Sequence, residues 1–438
     1  MKPAGRLQAA IEVLSEIQDR RAPASQALAE WGKSHRFAGS SDRAAIGNLV
    51  YDALRRKASI SARMGSQNPR TLALGTLAFA WGESPDEIAA MCDGSEHAPG
   101  PLNSEERAGC EAELDDNVPP WVRGDYPEWL HASFERTFGE RAAGEGAELA
   151  QRAPVDIRVN TLKANREKLL KSLKKFNVSE TPISPVGLCI APSIGPGRSP
   201  HLEADIAHGK GWFEIQDEGA QVAALLAGAE PGKQVADVCA GSGGKTLTLA
   251  AAMDNKGQIY TWDADAIRLR PIFERLKRAG VRNAQVLRGG DRDALKALEG
   301  RMDVVVADVP CTGSGVWRRR PDAKWRLRPA ALERRRSEQA QILDQAALLV
   351  KPGGRLVYIT CSVLPEENGD QVAAFLDRHQ DFRLVPYAQV WAETIGTQPP
   401  RSADGNVNTL LLTPASHGTD GFFVALLEKQ QTSGSPAG

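Results

Sequence analysis

The chain is poor in the features that staple a fold, anchor it in a membrane or bias its charge. Its six cysteines, Cys92, Cys110, Cys189, Cys239, Cys311 and Cys361, form no C-x-x-C pair, and no histidine is spaced with them as a zinc ligand would be. A disulfide scaffold and a zinc module are therefore excluded, the thiols are expected to be reduced, and no metal site is expected. Lys plus Arg comes to 54 against 55 for Asp plus Glu, so the net charge is -1; a nucleic-acid partner would have to be met by local basic clusters rather than by a basic surface. No apolar run approaches the ~18 residues of a membrane span. The start, Met1 to Arg6, leads into Glu12, Glu16 and Asp19 rather than a secretory signal, so a cytoplasmic place and no membrane contact are expected. No internal repeat is present, and the only biased tract is the short Ser/Gly/Pro tail after Gln431. What remains, 42% hydrophobic and 25% charged over 438 residues, is an ordinary folded chain of two or three domains.

Apolar residues at Leu7, Ile11, Leu14, Leu28, Trp31, Ile46, Leu49, Val50 and Leu54 recur at helical spacing, so residues 1–92 are expected to be an all-helical domain. Ser41-Asp42 has the form of an N-cap, and Ser84-Pro85-Asp86-Glu87 that of a capping box. Residues 93–118, acidic and broken by Pro99-Gly100-Pro101, are expected to be an exposed linker. Residues 119–205 form a small α+β module, with a strand over Val155 to Asn160 and an amphipathic helix over Asn165 to Phe176. From Gly232, strand-like runs (Val235 to Cys239, Gln258 to Trp262, Ala284 to Leu287, Val304 to Ala307, Leu356 to Ile359, Leu410 to Leu412, Phe422 to Leu427) alternate with helical stretches. Such alternation predicts a doubly wound, mostly parallel α/β sheet over residues 206–431, with ligands at the carboxyl ends of its strands. Residues 432–438 read as a flexible tail.

The first of these strands runs into Asp237-Val238-Cys239-Ala240-Gly241-Ser242-Gly243-Gly244-Lys245-Thr246. Glycines at a strand-to-helix turn let backbone approach a ligand. A P-loop needs G-x-x-x-x-G-K-S/T, but Cys239 stands at its first glycine; a dinucleotide loop needs G-x-G-x-x-G, but Thr246 stands at its third. A third reading is the loop of an S-adenosylmethionine enzyme, with Asp263 after the next strand placed to take ribose hydroxyls, and the bland alternative is a tight strand-to-helix turn without a ligand.

Asp308-Val309-Pro310-Cys311 and Thr360-Cys361-Ser362 end the fourth and fifth strands, so both thiols are expected at the cleft that holds the glycine loop. A lone cysteine is commonly a small buried hydrophobe; two at adjacent strand ends, one beside an Asp, point to chemistry. Carbon 5 of cytosine is too weakly nucleophilic to take a methyl group directly. Thiolate addition at carbon 6 makes it an enamine, an acid near nitrogen 3 assists, and a base must then take the carbon-5 proton so that the thiol can leave.

These motifs, together with Arg158 to Lys163, Cys361-Ser362-Val363-Leu364-Pro365-Glu366-Glu367-Asn368 and Asp420-Gly421-Phe422-Phe423, resemble those of the Sun/Fmu (Nop/Sun) RNA cytosine-5 methyltransferases from about Pro119 to the C-terminus. The first ninety residues resemble the NusB-type helical RNA-binding module of the bacterial 16S rRNA branch. The resemblance implies a class I S-adenosylmethionine-dependent fold and activity on RNA, with rRNA as the expected substrate. It makes Cys361 the nucleophile, Cys311 the residue aiding release, and Asp308 a group between cofactor and base, the acid near nitrogen 3. It puts Cys239, Ala240, Gly241, Ser242, Gly243, Gly244 and Lys245 around the cofactor, Asp263 on its ribose, Asp291 near its adenine and Arg268 as a further contact. The family loop usually reads C-A-A-P-G-G-K; here Gly241-Ser242 replace Ala-Pro, and the loop loses proline rigidity.

Between Trp317 and Arg336 lie nine Lys and Arg residues, from Arg318 to Arg336, against Asp322 and Glu333 alone. Such a run suits phosphate contacts, with Trp317 or Trp325 as a platform for an unpaired base. The target cytosine should be unpaired or flipped out, and the protein a monomer. The rival expectations are a P-loop nucleotide hydrolase and a non-catalytic RNA-binding or assembly factor.

Overall fold

The structure, a computed structural model, describes residues 1–198 and 200–431; the tail at 432–438 lies outside them. The chain forms two compact units. One contains Met1–Ala153, Pro192–Pro200 and Val316–Leu327, the other Pro154–Ala191, His201–Gly315 and Arg328–Gly438.

The first unit is helical. Its long helices Pro3–Arg20, Ala24–Ser34 and Ser40–Arg55 and the shorter Lys57–Met64, Pro69–Thr76 and Pro85–Met91 bury Leu7, Val13, Ile46, Val50, Leu54, Leu72, Leu74 and Ile88 in one core, as the helical spacing predicts. The Ser84 capping box forms: its hydroxyl accepts from the Glu87 N–H, and the Glu87 carboxylate accepts from the Ser84 N–H at 2.8 Å. The third helix begins one residue earlier than its Ser41-Asp42 signal, at Ser40. Asp42 acts from inside the first turn, accepting from the Gly39 N–H at 3.1 Å. The acidic stretch 93–118 is not a bare linker. It carries the helix Ser104–Glu111, capped by Asn103 and Glu106, and Cys92 and Cys110 enter the core. One apolar face was enough to fold a segment that its acidic flanks make look solvated. The helices between Pro120 and Leu149 also belong to this unit.

The second unit holds both sheets. Strands β1 (Val155–Val159), β2 (Ser179–Glu180), β3 (Gly187–Ile190) and β4 (Phe213–Ile215) form an antiparallel sheet in the order β2-β3-β1-β4. The expected helix after β1 is present as Arg166–Ser172, capped by Asn165, followed by a single tighter turn at Lys174–Phe176. β4, expected within the catalytic domain, is instead the edge of this smaller sheet, pairing with β1.

The larger sheet is built from β5 (Gln234–Asp237), β6 (Gln258–Thr261), β7 (Ala284–Val286), β8 (Met302–Asp308), β9 (Val350–Thr360), β10 (Phe382–Val385), β11 (Leu410–Leu412) and β12 (Phe422–Lys429). Its order is β10-β12-β9-β8-β5-β6-β7, with β11 on β12. Strands β5, β6, β7, β8 and β9 pair in parallel, and β10, β11 and β12 pair antiparallel. The central β8 is the near-continuous apolar run Met-Asp-Val-Val-Val-Ala-Asp, as a parallel strand covered on both faces should be. Each buried valine there contributes about 1.5–3 kcal/mol relative to exposure. From β5 the chain goes to β6 and β7 on one side and then to β8 and β9 on the other, so the order reverses at β5. The crevice at that reversal is where such sheets bind ligands.

Candidate functional site

The glycine loop leaves β5 at this reversal. It is stapled by backbone: the Ala240 N–H donates to the Trp262 carbonyl at 3.0 Å and the Gly243 N–H to the Ala240 carbonyl at 2.8 Å. The Gly241 N–H donates to Asp263 Oδ2 at 2.8 Å. Gly243 has φ +87, and a Cβ there would fall 2.5 Å from the Ile272 side chain, so only glycine fits. The helix Gly244–Ala252 follows at once, with Lys245 and Thr246 in its first turn. Asp237 is fully buried. One of its oxygens accepts the Thr246 hydroxyl at 2.7 Å and the other has no partner among the described residues. Burial pushes its carboxyl up to about 7, and the neighbouring charge of Asp308 adds to the shift. Burial, with Asp263 and Asp308 nearby, also raises the Cys239 thiol, which stays neutral in the wall of the loop.

Asp263, past the end of β6, is buried, and its second oxygen accepts from the Asp265 N–H at 2.8 Å. Its carbonyl accepts from the Gly290 N–H at 3.1 Å. That bond sets Asp291 beside it, with the Asp291 carbonyl taking the Trp262 indole N–H at 3.1 Å. The Asp291 carboxylate caps the short helix Arg292–Lys296. Arg268 is exposed, and its guanidinium is the neighbour of Gly241. The structure therefore gathers Cys239 to Lys245, Asp263 and Arg268 around one loop, with Asp291 joined to them through Trp262.

The thiols meet at the next two strand ends. Cys311 Sγ and Cys361 Sγ are 3.2 Å apart. The hydrogen bond to Cys361, then burial, pushes the Cys311 thiol well up, so Cys311 keeps its proton and can share it with the Cys361 sulfur. Asp308, at the end of β8, accepts from Lys245 Nζ at 2.6 Å, and this ammonium also lies 5.2 Å from the centre of the Phe422 ring. One ion pair thus ties the glycine loop to the Cys311 strand.

Several polar residues that hold the thiol loops carry no role in the sequence reading. Buried Glu367 accepts from the Thr312 N–H at 2.9 Å, from the Thr312 hydroxyl, and from the Gln339 amide at 3.0 Å. Burial raises its carboxyl. The Asn368 amide donates to the Ser362 carbonyl at 2.9 Å, and its oxygen takes the Thr360 hydroxyl at 2.6 Å. The hydroxyls of Ser314 and Ser362 are 2.9 Å apart. The Gly315 N–H donates to the Cys361 carbonyl at 3.0 Å, and the Gly421 N–H to the Gly315 carbonyl at 2.8 Å. A Cβ on Gly315 would lie 2.2 Å from the Gly421 carbonyl oxygen, so these loops touch backbone to backbone. Polar residues next to Cys361 were the available signal; Gln339, distant in sequence, gave none.

The basic run divides. Its first half folds into the helical unit, where Lys324 is buried and donates to the Arg55 carbonyl at 2.6 Å. Burial lowers its ammonium to about 7. The expected stacking platforms are not available. Trp317 is buried and stacked on Phe134 with centroids 5.9 Å apart, and Trp325 packs on the helical core with its indole N–H on the Leu54 carbonyl at 2.6 Å. Their size and apolar rings were better satisfied by the core than by solvent. In the second half, on the helix Pro329–Leu349, Arg335 and Arg336 pair with Glu338 and Glu333, while Arg328 and Arg334 are exposed.

Residues 223–428 match the family of the 16S rRNA methyltransferase RsmB/F, and residues 126–194 match the ferredoxin-like domain of RsmF/B-like methyltransferases. A Synechocystis protein named probable ribosomal RNA small subunit methyltransferase B is 34% identical over 311 residues, 69% of this chain and 67% of its own length. The ribosomal RNA small subunit methyltransferase B of Citrobacter koseri is 33% identical over 70% of this chain and 67% of that protein. The match thus spans about two thirds of these relatives. Among solved structures, the crystal structure of PH0851 is similar over 98% of this chain and 99% of that one, with 26% identity and a TM-score of 0.72. A methyltransferase homologue from Pyrococcus horikoshii is 29% identical, covering 71% of this chain and 97% of its own, with a TM-score of 0.58. NSun6 from the same organism, crystallised with SFG, an analogue of S-adenosylmethionine, is alike in fold at 24% identity and a TM-score of 0.61.

Proposed function

The chain belongs to the RsmB/F family of S-adenosylmethionine-dependent rRNA methyltransferases, and from that premise we propose that it methylates carbon 5 of a cytosine in 16S ribosomal RNA through a covalent bond from Cys361 to carbon 6. The observation that carries this reading is the thiol pair, 3.2 Å apart, at the ends of β8 and β9 beside the Lys245–Asp308 ion pair. A hydrolase of the P-loop type has no use for two such thiols.

The loop suits the cofactor. Gly243 at φ +87 turns the backbone into a helix start, Asp237 keeps a buried unpaired oxygen, and Asp263 is a buried carboxylate one strand away. Cys239 to Lys245 would enclose it, with Asp263 on the ribose hydroxyls, Asp291 at the adenine and Arg268 alongside. S-adenosylmethionine supplies the methyl group as an electrophilic sulfonium.

The protein's own residues do the rest. Cys361 as thiolate adds to carbon 6, forming the sulfur–carbon bond and pushing electrons to nitrogen 3 and carbon 5. Asp308 relays a proton from the Lys245 ammonium, 2.6 Å away, to nitrogen 3 as charge develops there, and takes it back when the ring is restored. Cys311, its proton shared with Cys361 before addition, loses the bond that held this proton once the neighbouring sulfur is a thioether. It then releases that proton to solvent and as thiolate takes the carbon-5 proton; the carbon–hydrogen pair restores the carbon 5–carbon 6 double bond, and the sulfur–carbon pair leaves with Cys361 as thiolate. The target cytosine is unpaired or flipped out of its stack. The protein acts as a monomer in the cytoplasm, where its RNA is.

The test is incubation with methyl-labelled S-adenosylmethionine and unmodified RNA from a strain lacking the gene, followed by nucleoside mass spectrometry. The expected product is 5-methylcytidine in 16S rRNA. Label in another nucleoside would overturn the chemistry, and cofactor binding without any label would favour a non-catalytic assembly factor.

A further inference from the structure

The loop that should embrace the cofactor reads Gly241-Ser242-Gly243-Gly244. It has positive φ at Gly241 and Gly243 and no proline. Such a stretch loses the most conformational freedom when it orders. The structure offsets this with a clamp from outside the loop. Arg275, on the helix Ile272–Ala279, turns one guanidinium nitrogen to Ser242: Nη1 donates to the Ser242 carbonyl at 3.0 Å and to its hydroxyl at 2.8 Å. The other two nitrogens face Glu214 of β4, with Nη2 at 2.9 Å and Nε at 3.3 Å from Oε2. Arg278 adds a second cation, 2.6 Å from Glu214 Oε1. The Glu214 side chain is only 4% exposed. Burial opposes its charge, but Arg275 and Arg278 outweigh burial and hold the carboxyl below its usual range.

The planar fork of arginine is thus used on both edges, which a lysine ammonium cannot do. Glu214 fixes the guanidinium, the guanidinium fixes both polar groups of Ser242, and Ser242 lies between the two glycines whose dihedrals shape the loop. We infer that Glu214 and Arg275 are positioning residues that set cofactor affinity, a charge-assisted clamp standing in for the rigidity a proline at position 242 would supply. This rests on the reading of Cys239 to Lys245 as the cofactor loop.

Calorimetric binding of S-adenosylmethionine to the full chain tests it. Arg275→Ala should raise the dissociation constant about tenfold, the worth of one charge-assisted hydrogen bond. At saturating cofactor, kcat and the KM for RNA should stay within about twofold. Arg275→Lys should bind as weakly as Arg275→Ala, whereas adding Ser242→Pro to Arg275→Ala should restore affinity. An unchanged dissociation constant in Arg275→Ala, or a double variant as weak as the single one, would overturn the clamp. Should Arg275→Ala fail to fold, as a thermal melt would reveal, Ser242→Gly and Ser242→Pro with Arg275 intact decide: weakening by glycine alone supports the clamp, and no weakening by glycine overturns it. Gly243→Ala and Asp263→Ala are measured alongside. If both bind cofactor like the parent protein, the loop reading fails, and that result is distinct from failure of the clamp alone.

Discussion

Two neighbouring strand ends hold their loops by opposite means. After β5, glycines let the backbone turn, and charge holds it from outside through Lys245–Asp308 and Glu214–Arg275–Ser242. After β8 and β9, the loops around Cys311 and Cys361 are held from within by buried groups that are neutral or driven toward neutrality: two serine hydroxyls, Thr360 with Asn368, and Glu367, whose carboxyl burial raises. On the proposed function the contrast follows the ligands. A loop that must admit a charged, exchangeable cofactor can be steered by ions that salt and solvent moderate. A pair of thiols that must be aligned to a few tenths of an ångström, and kept dry, is better served by hydrogen bonds that strengthen as water is excluded.

The largest effect should come at the thiols themselves. Cys361→Ala should lower methylation by more than about a thousandfold with cofactor binding intact. Cys311→Ala should accumulate an RNA adduct that survives denaturing electrophoresis; a fully active Cys311→Ala enzyme without adduct would remove the release role. Next is the group that holds them. Glu367→Ala leaves the Thr312 N–H and one of the two Gln339 amide hydrogens unpaired in a buried site, for about 2–4 kcal/mol of stability. Methylation should fall about a hundredfold with cofactor affinity nearly unchanged, and Glu367→Gln should recover most of both, because the native carboxyl is already driven toward its neutral form. Equal damage from the two variants would show that Glu367 works as a charge, and the contrast between the strand ends would fail.

On the other side, Gly243→Ala places a methyl against Ile272 at φ +87 and should cost about 1–3 kcal/mol. Cofactor affinity should drop there without adduct accumulation. The smallest effect is a pH dependence. Asp237 has a folded pKa near 7 against an ordinary 3.8, so the folded protein holds a proton that the unfolded chain releases between those values. That stabilisation is complete below about pH 4 and is lost as pH rises through about 7. The melting temperature of Asp237→Asn relative to the parent should therefore climb between about pH 5 and pH 8. A difference constant over that range would mean that the buried carboxyl titrates normally.

Much of this architecture was readable in the sequence because it depends on local pattern. The parallel strands announce themselves as apolar runs, and the motif residues cluster within a few positions of strand ends. β10 escaped because Phe382–Val385 is four residues that alternate only once, an edge strand whose partner is β12. Trp317, Trp325 and Lys324 misled for a different reason: a basic, aromatic run looks like a nucleic-acid surface, and only tertiary packing reveals that Phe134, Leu54 and Arg55 take up its rings and its ammonium. The Arg275 clamp joins residues from β4, the glycine loop and a later helix, a separation that no spacing rule detects.

The membership of Val316–Leu327 in the helical unit bears on how the protein is made. During synthesis the first 153 residues emerge well ahead of Trp317 and Trp325, yet those tryptophans fill part of the helical unit's interior. The N-terminal helices therefore complete their packing only after β8 has left the ribosome. The last step in folding this unit comes late in synthesis, and a nascent chain stalled before residue 316 should expose the apolar ground those side chains later cover.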